Sequence, residues 1–571
     1  MLYTQQTHNN KNDAKYIGWF LAVWTLFNII QACTLELHSD EAYYWLYSRF
    51  LDWGYFDHPP MVALFIRAGD VFLHNEFGLR LVNILSSTAS LYLLWKTAEQ
   101  LGASAKWFIL VASGMFTLHI YGFITTPDGP LLFFTALFFY VYQRYLLKDS
   151  WLQALLLGII LAGLLYSKYH GILLVGFTIL ADVKILKRGT FWLIAAVALA
   201  LYVPHIVWQV NHNYPSVAYH LADRSEKSYR FDYTFFYILS QMLMAGVLTG
   251  WLLFYKGFAL SATNSFIRVL KVNFIGIILF FLFTSLRGEV QPQWTIIAFA
   301  VLLIWLSAQL SHAAPPAWLQ KLAVANIVII AIIRLLVVAQ PAPVQQVQAI
   351  KKFFGYKDWA HTIKQKAGDS WVVMNDGFQL PAKYCYYNNT LKCFSYDSRY
   401  YRLTQFEIWP LEDSVQNKRV FYVARDPDEA TTDTLTTPTG KWYTGWIDSL
   451  RTYQRVSITT DEKKLTLAPG QSHTFNLIIT NPYQYPINFS NTGVKHKVDL
   501  QACFFDGKQE VEVQGADSTF NQLQIEPGRN AQYSFTVKAP SKKGRYDMLF
   551  SLHTAPFNGN RNSGFITFTV E

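Results

Sequence analysis

The sequence predicts a multispanning α-helical membrane protein, with an α/β domain and a β-sandwich following the last span. Three observations carry that prediction: long uncharged runs, basic residues in every second connection between them, and a change of periodicity near residue 340. No charged residue occurs from Tyr16 to Leu35, which matches the roughly 20 apolar residues a helix needs to cross a bilayer. Comparable runs follow near 81–95, 107–127, 129–143, 151–167, 171–183, 190–210, 233–255, 272–286, 294–310 and 319–338, giving eleven spans. A chain of 571 residues that is 52% hydrophobic and 17% aromatic is too apolar for an ordinary soluble protein and too long for one domain. The first run reads as a span rather than a cleaved signal, because it is long and no small-residue cleavage site follows it.

Lys and Arg concentrate in cytoplasmic loops. With the N-terminus, Lys11 and Lys15 inside, the cytoplasmic connections carry Lys96 and Lys106, Arg144 and Lys148, Lys184, Lys187 and Arg188, Lys256, Arg268 and Lys271, and Lys321. An odd number of spans then puts everything after about residue 340 outside. The same topology brings Asp40–Pro60, Thr126-Pro127-Asp128, Ser167-Lys168-Tyr169-His170, the loop 211–231 and Arg287-Gly288-Glu289 to one outer face. The formal net charge of +10 fits basic loops facing anionic lipid, and nothing calls for a nucleic-acid partner.

Beyond Pro341-Ala342-Pro343 the chain is polar. The expected organisation is a membrane domain over 1–340, an outer α/β domain over 341–445 and an immunoglobulin-like β-sandwich over 446–571. Gln345 to Lys366 has helical spacing, Trp371–Met374 and Val420–Val423 read as buried strands, and 377–387 as a helix, an alternation typical of layered α/β folds. Lys464–Leu467, His473–Ile479, Gln532–Val537 and Phe565–Val570 alternate apolar with polar residues between Pro-Gly turns, as sandwich strands do. Cys385 and Cys393 either pair in the outer domain or stay as two thiols.

Acid–base groups concentrate in the first outer loop, 36–80. It holds Asp40, Glu41 and Asp57 with His38 and His58, among Tyr43, Tyr44, Trp45 and Tyr55. Adjacent carboxylates on a regular helix or strand cannot point at one ligand, so one of Asp40 and Glu41 faces a substrate and the other organises it. Ala42 to Phe50 reads as an amphipathic helix lying in the interface, where partial desolvation raises a carboxylate's pKa and makes it a better base. Pro59-Pro60 stiffen the turn after His58. The alternatives without a ligand are that Asp40 caps the helix and that Asp57 pairs with Arg67 or Arg80.

Asp128, within Thr126-Pro127-Asp128-Gly129-Pro130, is either a cap or a site residue. Lys168, beside Tyr169 and His170, interrupts an apolar run, either as a cation that neutralises phosphate or as one that snorkels to the surface. Arg80 opens the second span on the same face, and Arg224, Lys227 and Arg230 crowd an outer loop against the orientation rule, as cations meeting an anionic ligand would. Neither a Walker loop nor a Rossmann turn occurs, so no nucleotide is expected. Asp40, Asp57 and His58 offer ligands to a divalent cation, in a spacing that is not diagnostic.

Asp40-Glu41-Ala42-Tyr43-Tyr44-Trp45, Gly54-Tyr55-Phe56-Asp57-His58-Pro59-Pro60-Met61, Leu79-Arg80-Leu81, Pro127-Asp128-Gly129-Pro130 and Ser167-Lys168-Tyr169 together carry a resemblance. They resemble bacterial members of glycosyltransferase family 39, related to protein O-mannosyltransferases and lipid A aminoarabinose transferases, in the C-type integral-membrane superfamily. The resemblance covers roughly 15–340 and continues into the α/β domain at Arg399–Trp409. It implies a C-type fold in a bacterial inner membrane, with the N-terminus cytoplasmic and the C-terminal domains periplasmic. It also implies an inverting transfer from a polyprenyl (undecaprenyl) phosphate sugar to a lipid, glycan or protein acceptor on the periplasmic face. Carried across, Asp40 is the base, Glu41 its neighbour and Asp57 the second acid, while Tyr55, His58, Arg80, Asp128, Lys168 and Tyr169 meet substrate. Aminoarabinose transferases are similar in an acid followed by a lysine before the double proline; here His58 stands in that place, which passes the phosphate contact to Lys168 or Arg80. The β-sandwich lies outside the family pattern. The rival reading is a flippase or transporter of a lipid-linked sugar, whose internal repeats and midplane charges are not evident here.

Overall fold

The computed structural model describes residues 11–220, 229–259, 261–313 and 315–571, so that Arg224 and Lys227 lie outside the described residues. The chain divides into two compact units, Met1–Phe354 and Gly355–Glu571.

The regular structure among the described residues of the first unit is helical, as a chain must be where lipid offers its backbone no hydrogen bonds. It opens with α1 (Lys11–Thr34), α2 (Ser39–Arg49), α3 (Met61–Asp70) and α4 (Glu76–Glu99). There follow α5 (Ala105–Gly114), α6 (Phe116–Tyr121), α7 (Asp128–Leu147), α8 (Trp151–Ser167), α9 (Gly171–Ala181), α10 (Gly189–Asn211) and the short α11 (Pro215–Ala218). The unit continues with α12 (Phe231–Ala245), α13 (Gly250–Phe258), α14 (Ser265–Thr284), α15 (Ile296–His312) and α16 (Ala317–Ala339), then the single turns α17 (Ala342–Gln345) and α18 (Gln348–Lys351). Among the described residues α1, α4, α7, α10, α14, α15 with its leading turn, and α16 make 7 helices long and apolar enough to cross a membrane, or 8 if α12 and α13 form one bent span. The shorter apolar helices α5, α8 and α9 account for the remaining apolar runs of the sequence.

Two local departures from the sequence reading bear on the site. The run 233–255 is not one straight helix: α12 and α13 meet at 99°. Gly246, at φ +157°, turns the chain there, the Leu248 N–H donates to Asn326 Oδ1 (2.9 Å), and Asn326 Nδ2 donates to the Gly114 carbonyl (2.9 Å) where α5 gives way to α6. The helix α2 does not lie open on a surface either. Glu41 to Ser48 are all buried, because its polar side is covered from within: Trp45 Nε1 donates to Asp70 on α3 (2.9 Å), and Arg80 on α4 reaches Glu41.

The second unit holds a five-stranded sheet in the order β2-β1-β3-β5-β4, built from β1 (Val372–Asn375), β2 (Cys393–Tyr396), β3 (Val420–Ala424), β4 (Asp433–Thr437) and β5 (Gly440–Ile447). Strand β1 runs parallel to both its neighbours, with α19 (Tyr356–Ala367) and α20 (Gln379–Tyr387) supplying the helical layer. The predicted helix over Gln345–Lys366 is instead broken into α17, α18 and α19, the last starting after Gly355 at φ +79°. From Ser457 onward the chain forms a sandwich whose main sheets have five and three strands, with Phe475, Phe504, Phe535, Phe550 and Phe568 in its core. Arg399 binds Glu510 (2.7 Å) and Glu412 accepts from Tyr483 (2.7 Å) and Thr452 (2.6 Å), which ties the α/β layer to the sandwich. Cys385 and Cys393 are both free and buried.

Candidate active site

The site begins at the first turn of α2. His38 Nδ1 accepts the Asp40 N–H (3.2 Å) and the Glu41 carboxylate accepts the His38 N–H (2.9 Å), a capping box that fixes where both acids start. About 100° of helix rotation separates successive side chains, so the two acids diverge. Glu41 turns inward, fully buried, where Oε1 accepts from Arg80 Nε (2.9 Å) and the Thr125 N–H (2.9 Å), and Oε2 accepts from Arg80 Nη2 (2.7 Å). Burial alone would raise this carboxyl, but the Arg80 guanidinium and the two backbone N–H groups together hold it below the usual carboxylate range. Asp40 turns outward with 38% of its side chain exposed, 3.7 Å from the His38 ring nitrogen.

Arg80, which the sequence offered as a phosphate contact, is engaged within the protein in this structure. Its remaining N–H groups donate to the carbonyls of Ala32 (3.0 Å), Leu35 (2.8 Å) and Glu36 (2.9 Å), so the whole guanidinium fork is committed inside the protein. Tyr55 is also engaged within the protein: its hydroxyl donates to the carbonyls of Tyr47 (2.9 Å) and Phe50 (3.1 Å), and its ring stacks on Tyr47 at 3.9 Å, which fastens the end of α2. Arg230 is taken by Asp232 at 2.8 Å on an exposed surface.

Asp57 and Asp128 are buried beside Asp40. Asp57 Oδ2 accepts from the Tyr47 hydroxyl (3.3 Å), its carbonyl accepts from His220 Nε2 (3.0 Å), and Asp128 Oδ1 pairs with Lys168 Nζ at 2.8 Å. Burial, and then the charges of Asp40, Asp57 and Asp128, push the Tyr44 hydroxyl well above its usual range, which puts all three aspartates within electrostatic reach of one phenol. His58 stands at the same place, its ring 5.8 Å from Tyr44 and 6.2 Å from His220. Tyr169 contributes its ring, 5.5 Å from His220, while its hydroxyl is shared by His205 (3.2 Å) and Gln209 (3.0 Å) of α10. Among the described residues no three His, Cys, Asp or Glu side chains are grouped so as to hold a metal ion.

Four participants were not singled out in the sequence: Tyr44, Tyr47, His220 and Lys352. Tyr44 and Tyr47 looked like aromatic filling of an interfacial helix, and His220 comes from the loop after α10. Lys352 follows α18 and lies within electrostatic reach of Asp40, and the next residue, Phe353, is buried with its ring 5.4 Å from His38.

Comparison with known proteins places this arrangement. By fold, most of the chain is similar to solved structures of one integral-membrane protein. Structures of ArnT from Cupriavidus metallidurans, in the apo state and bound to undecaprenyl phosphate, superpose with a TM-score of 0.56 over 76% of this chain and 98% of theirs, at 15% and 14% identity. The resemblance to family 39 holds in the sequence as well: residues 57–208 match the family described as dolichyl-phosphate-mannose-protein mannosyltransferase. That match begins at Asp57 and leaves Asp40 and Glu41 outside it. The lipid A galacturonosyltransferase RgtD of Rhizobium johnstonii is 26% identical over 195 residues, 32% of this chain, and the matched stretch spans 40% of that relative's length.

Proposed function

We propose that the protein transfers a sugar, with inversion, from a polyprenyl phosphate such as undecaprenyl phosphate to a lipid acceptor on the periplasmic face of a bacterial inner membrane. The observation that carries this reading is the division of labour between Asp40 and Glu41. One carboxylate is held charged and buried by Arg80, while its neighbour, on the same capped turn, is open to a substrate beside Asp57 and Asp128. In the reaction Asp40 takes the proton of the acceptor hydroxyl, whose oxygen attacks the anomeric carbon. The bond from that carbon to the phosphate oxygen breaks, and the phosphate leaves with the electron pair. Enclosure by the tyrosines of α2 lowers the local dielectric and strengthens each contact with the developing charges. The lipid acceptor is favoured by the galacturonosyltransferase relative, and the donor by the ligand of the ArnT structure.

The test is transfer from a synthetic undecaprenyl-phosphate sugar by purified protein. Asp40→Asn is expected to lower turnover by about 100-fold or more, in line with loss of a general base. Undiminished transfer by that variant removes Asp40 as the base, and sugar-lipid flux in vesicles without any transfer favours the flippase reading.

A further inference from the structure

A phosphate enters this site against a surplus of carboxylates: Asp40, Glu41, Asp57 and Asp128. Two of the cations that the sequence offers, Arg80 and Lys168, are spent on them. Arg80 gives every N–H to Glu41 and to backbone carbonyls, and Lys168 sits in a buried ion pair with Asp128, 2.8 Å away. Drawing either toward a substrate leaves a carboxylate buried without its partner, which costs several kcal/mol.

Lys352 stands differently. It follows α18 and precedes Phe353, which packs into an apolar cluster with Ala32, Leu35, Ile84, Phe123 and Ile124. Phe353 lies 5.4 Å from the His38 ring, and His38 lies 3.7 Å from the Asp40 carboxylate. The buried ring thus fixes the backbone next to His38, and the side chain of the preceding lysine, partly desolvated, comes within electrostatic reach of Asp40. A flexible four-carbon stem lets its ammonium swing from that carboxylate to an arriving anion without unfolding anything.

We propose that Lys352 is a phosphate-binding residue of the site, meeting beside Asp40 the phosphate of a polyprenyl-phosphate donor or of a phosphorylated lipid acceptor. The inference rests on the glycosyltransferase reading above. It is tested by ligand binding, which needs no turnover. Full-length protein in detergent is titrated with undecaprenyl phosphate, with undecaprenol, with bis-phosphorylated lipid A and with dephosphorylated lipid A, following intrinsic tryptophan fluorescence. Lys352→Gln is expected to weaken a phosphate-bearing ligand about tenfold and to leave its phosphate-free counterpart unchanged, while Lys352→Arg keeps most of the affinity. Loss with undecaprenyl phosphate assigns the contact to the donor, and loss with lipid A to the acceptor. Equal binding of both phosphate ligands by wild type and Lys352→Gln overturns the inference, as does equal weakening of the phosphate-free lipids. A wild type that prefers neither phosphate ligand over its phosphate-free counterpart overturns the glycosyltransferase reading instead.

Discussion

Two glutamates in this chain occupy the same local motif and reach opposite electrical states. Glu41 closes a capping box with His38 at the start of α2, and Glu407 closes one with Thr404 at the short 3-10 helix Gln405–Glu407. Each carboxylate accepts a backbone N–H from three residues earlier, at 2.9 Å and 2.7 Å. Across from Glu41 stands Arg80, and the carboxyl stays ionised. Across from Glu407 stands Asp397, also buried, held by the Thr404 hydroxyl (2.7 Å) and the Gly377 N–H (2.9 Å). There burial first, and then the Asp397 charge, push Glu407 well above the usual carboxylate range, so the two acids share a proton. The capping box fixes where a carboxylate sits; the group facing it decides whether it is charged. The first arrangement keeps its charge as pH changes above the lowered pKa, and the second gains or loses a proton at a raised one.

The most severe way to break the contrast is Arg80→Ala, which strands a buried charge at Glu41 and is expected to cost about 3–5 kcal/mol in mixed-micelle SDS unfolding. Replacing both partners, Arg80→Met with Glu41→Gln, is expected to recover most of that loss. A single variant as stable as wild type removes the ion pair as a support of the site. The pH profiles sharpen the contrast next. Glu407 has its folded pKa raised, so its stabilising contribution is present below the unfolded value near 4.5 and is lost as pH rises through the folded one. Glu407→Gln is accordingly expected to raise Tm by about 2–4 °C at pH 8 and to leave it unchanged at the acid end. Glu41 has its folded pKa lowered, so its contribution holds above 4.5 and is lost as pH falls through the folded value. Profiles of equal slope for the two sites contradict the assignment. Smallest is the effect of the caps: His38→Ala is expected to cost about 1 kcal/mol and Thr404→Ala somewhat more, because the threonine hydroxyl also serves Asp397. Equal costs mean that the Thr404–Asp397 bond adds nothing.

The apolar runs were legible because crossing lipid demands length and hydrophobicity, quantities that a linear reading captures. The strands over Lys464–Leu467 and His473–Ile479 were legible through their alternation. Direction was not. Hydropathy cannot see that 231–258 turns by 99° at Gly246, where the acceptor of the Leu248 N–H, Asn326, lies 78 residues further on. At the site the acids were visible as a cluster, but which of Asp40 and Glu41 faces outward depends on Arg80, 39 residues further on, and the same arginine looked like a substrate contact until its donors were accounted for. Lys352 was illegible for a similar reason, being brought to Asp40 by the burial of its neighbour rather than by any spacing.

The bend between α12 and α13 has a consequence for biosynthesis. A chain emerging from the ribosome presents 231–258 to the insertion machinery well before Asn326 has been made. The acceptor that holds the Leu248 N–H at that corner, Asn326 on α16, is added 78 residues after it. The corner of an earlier segment thus depends on the last long helix of the unit.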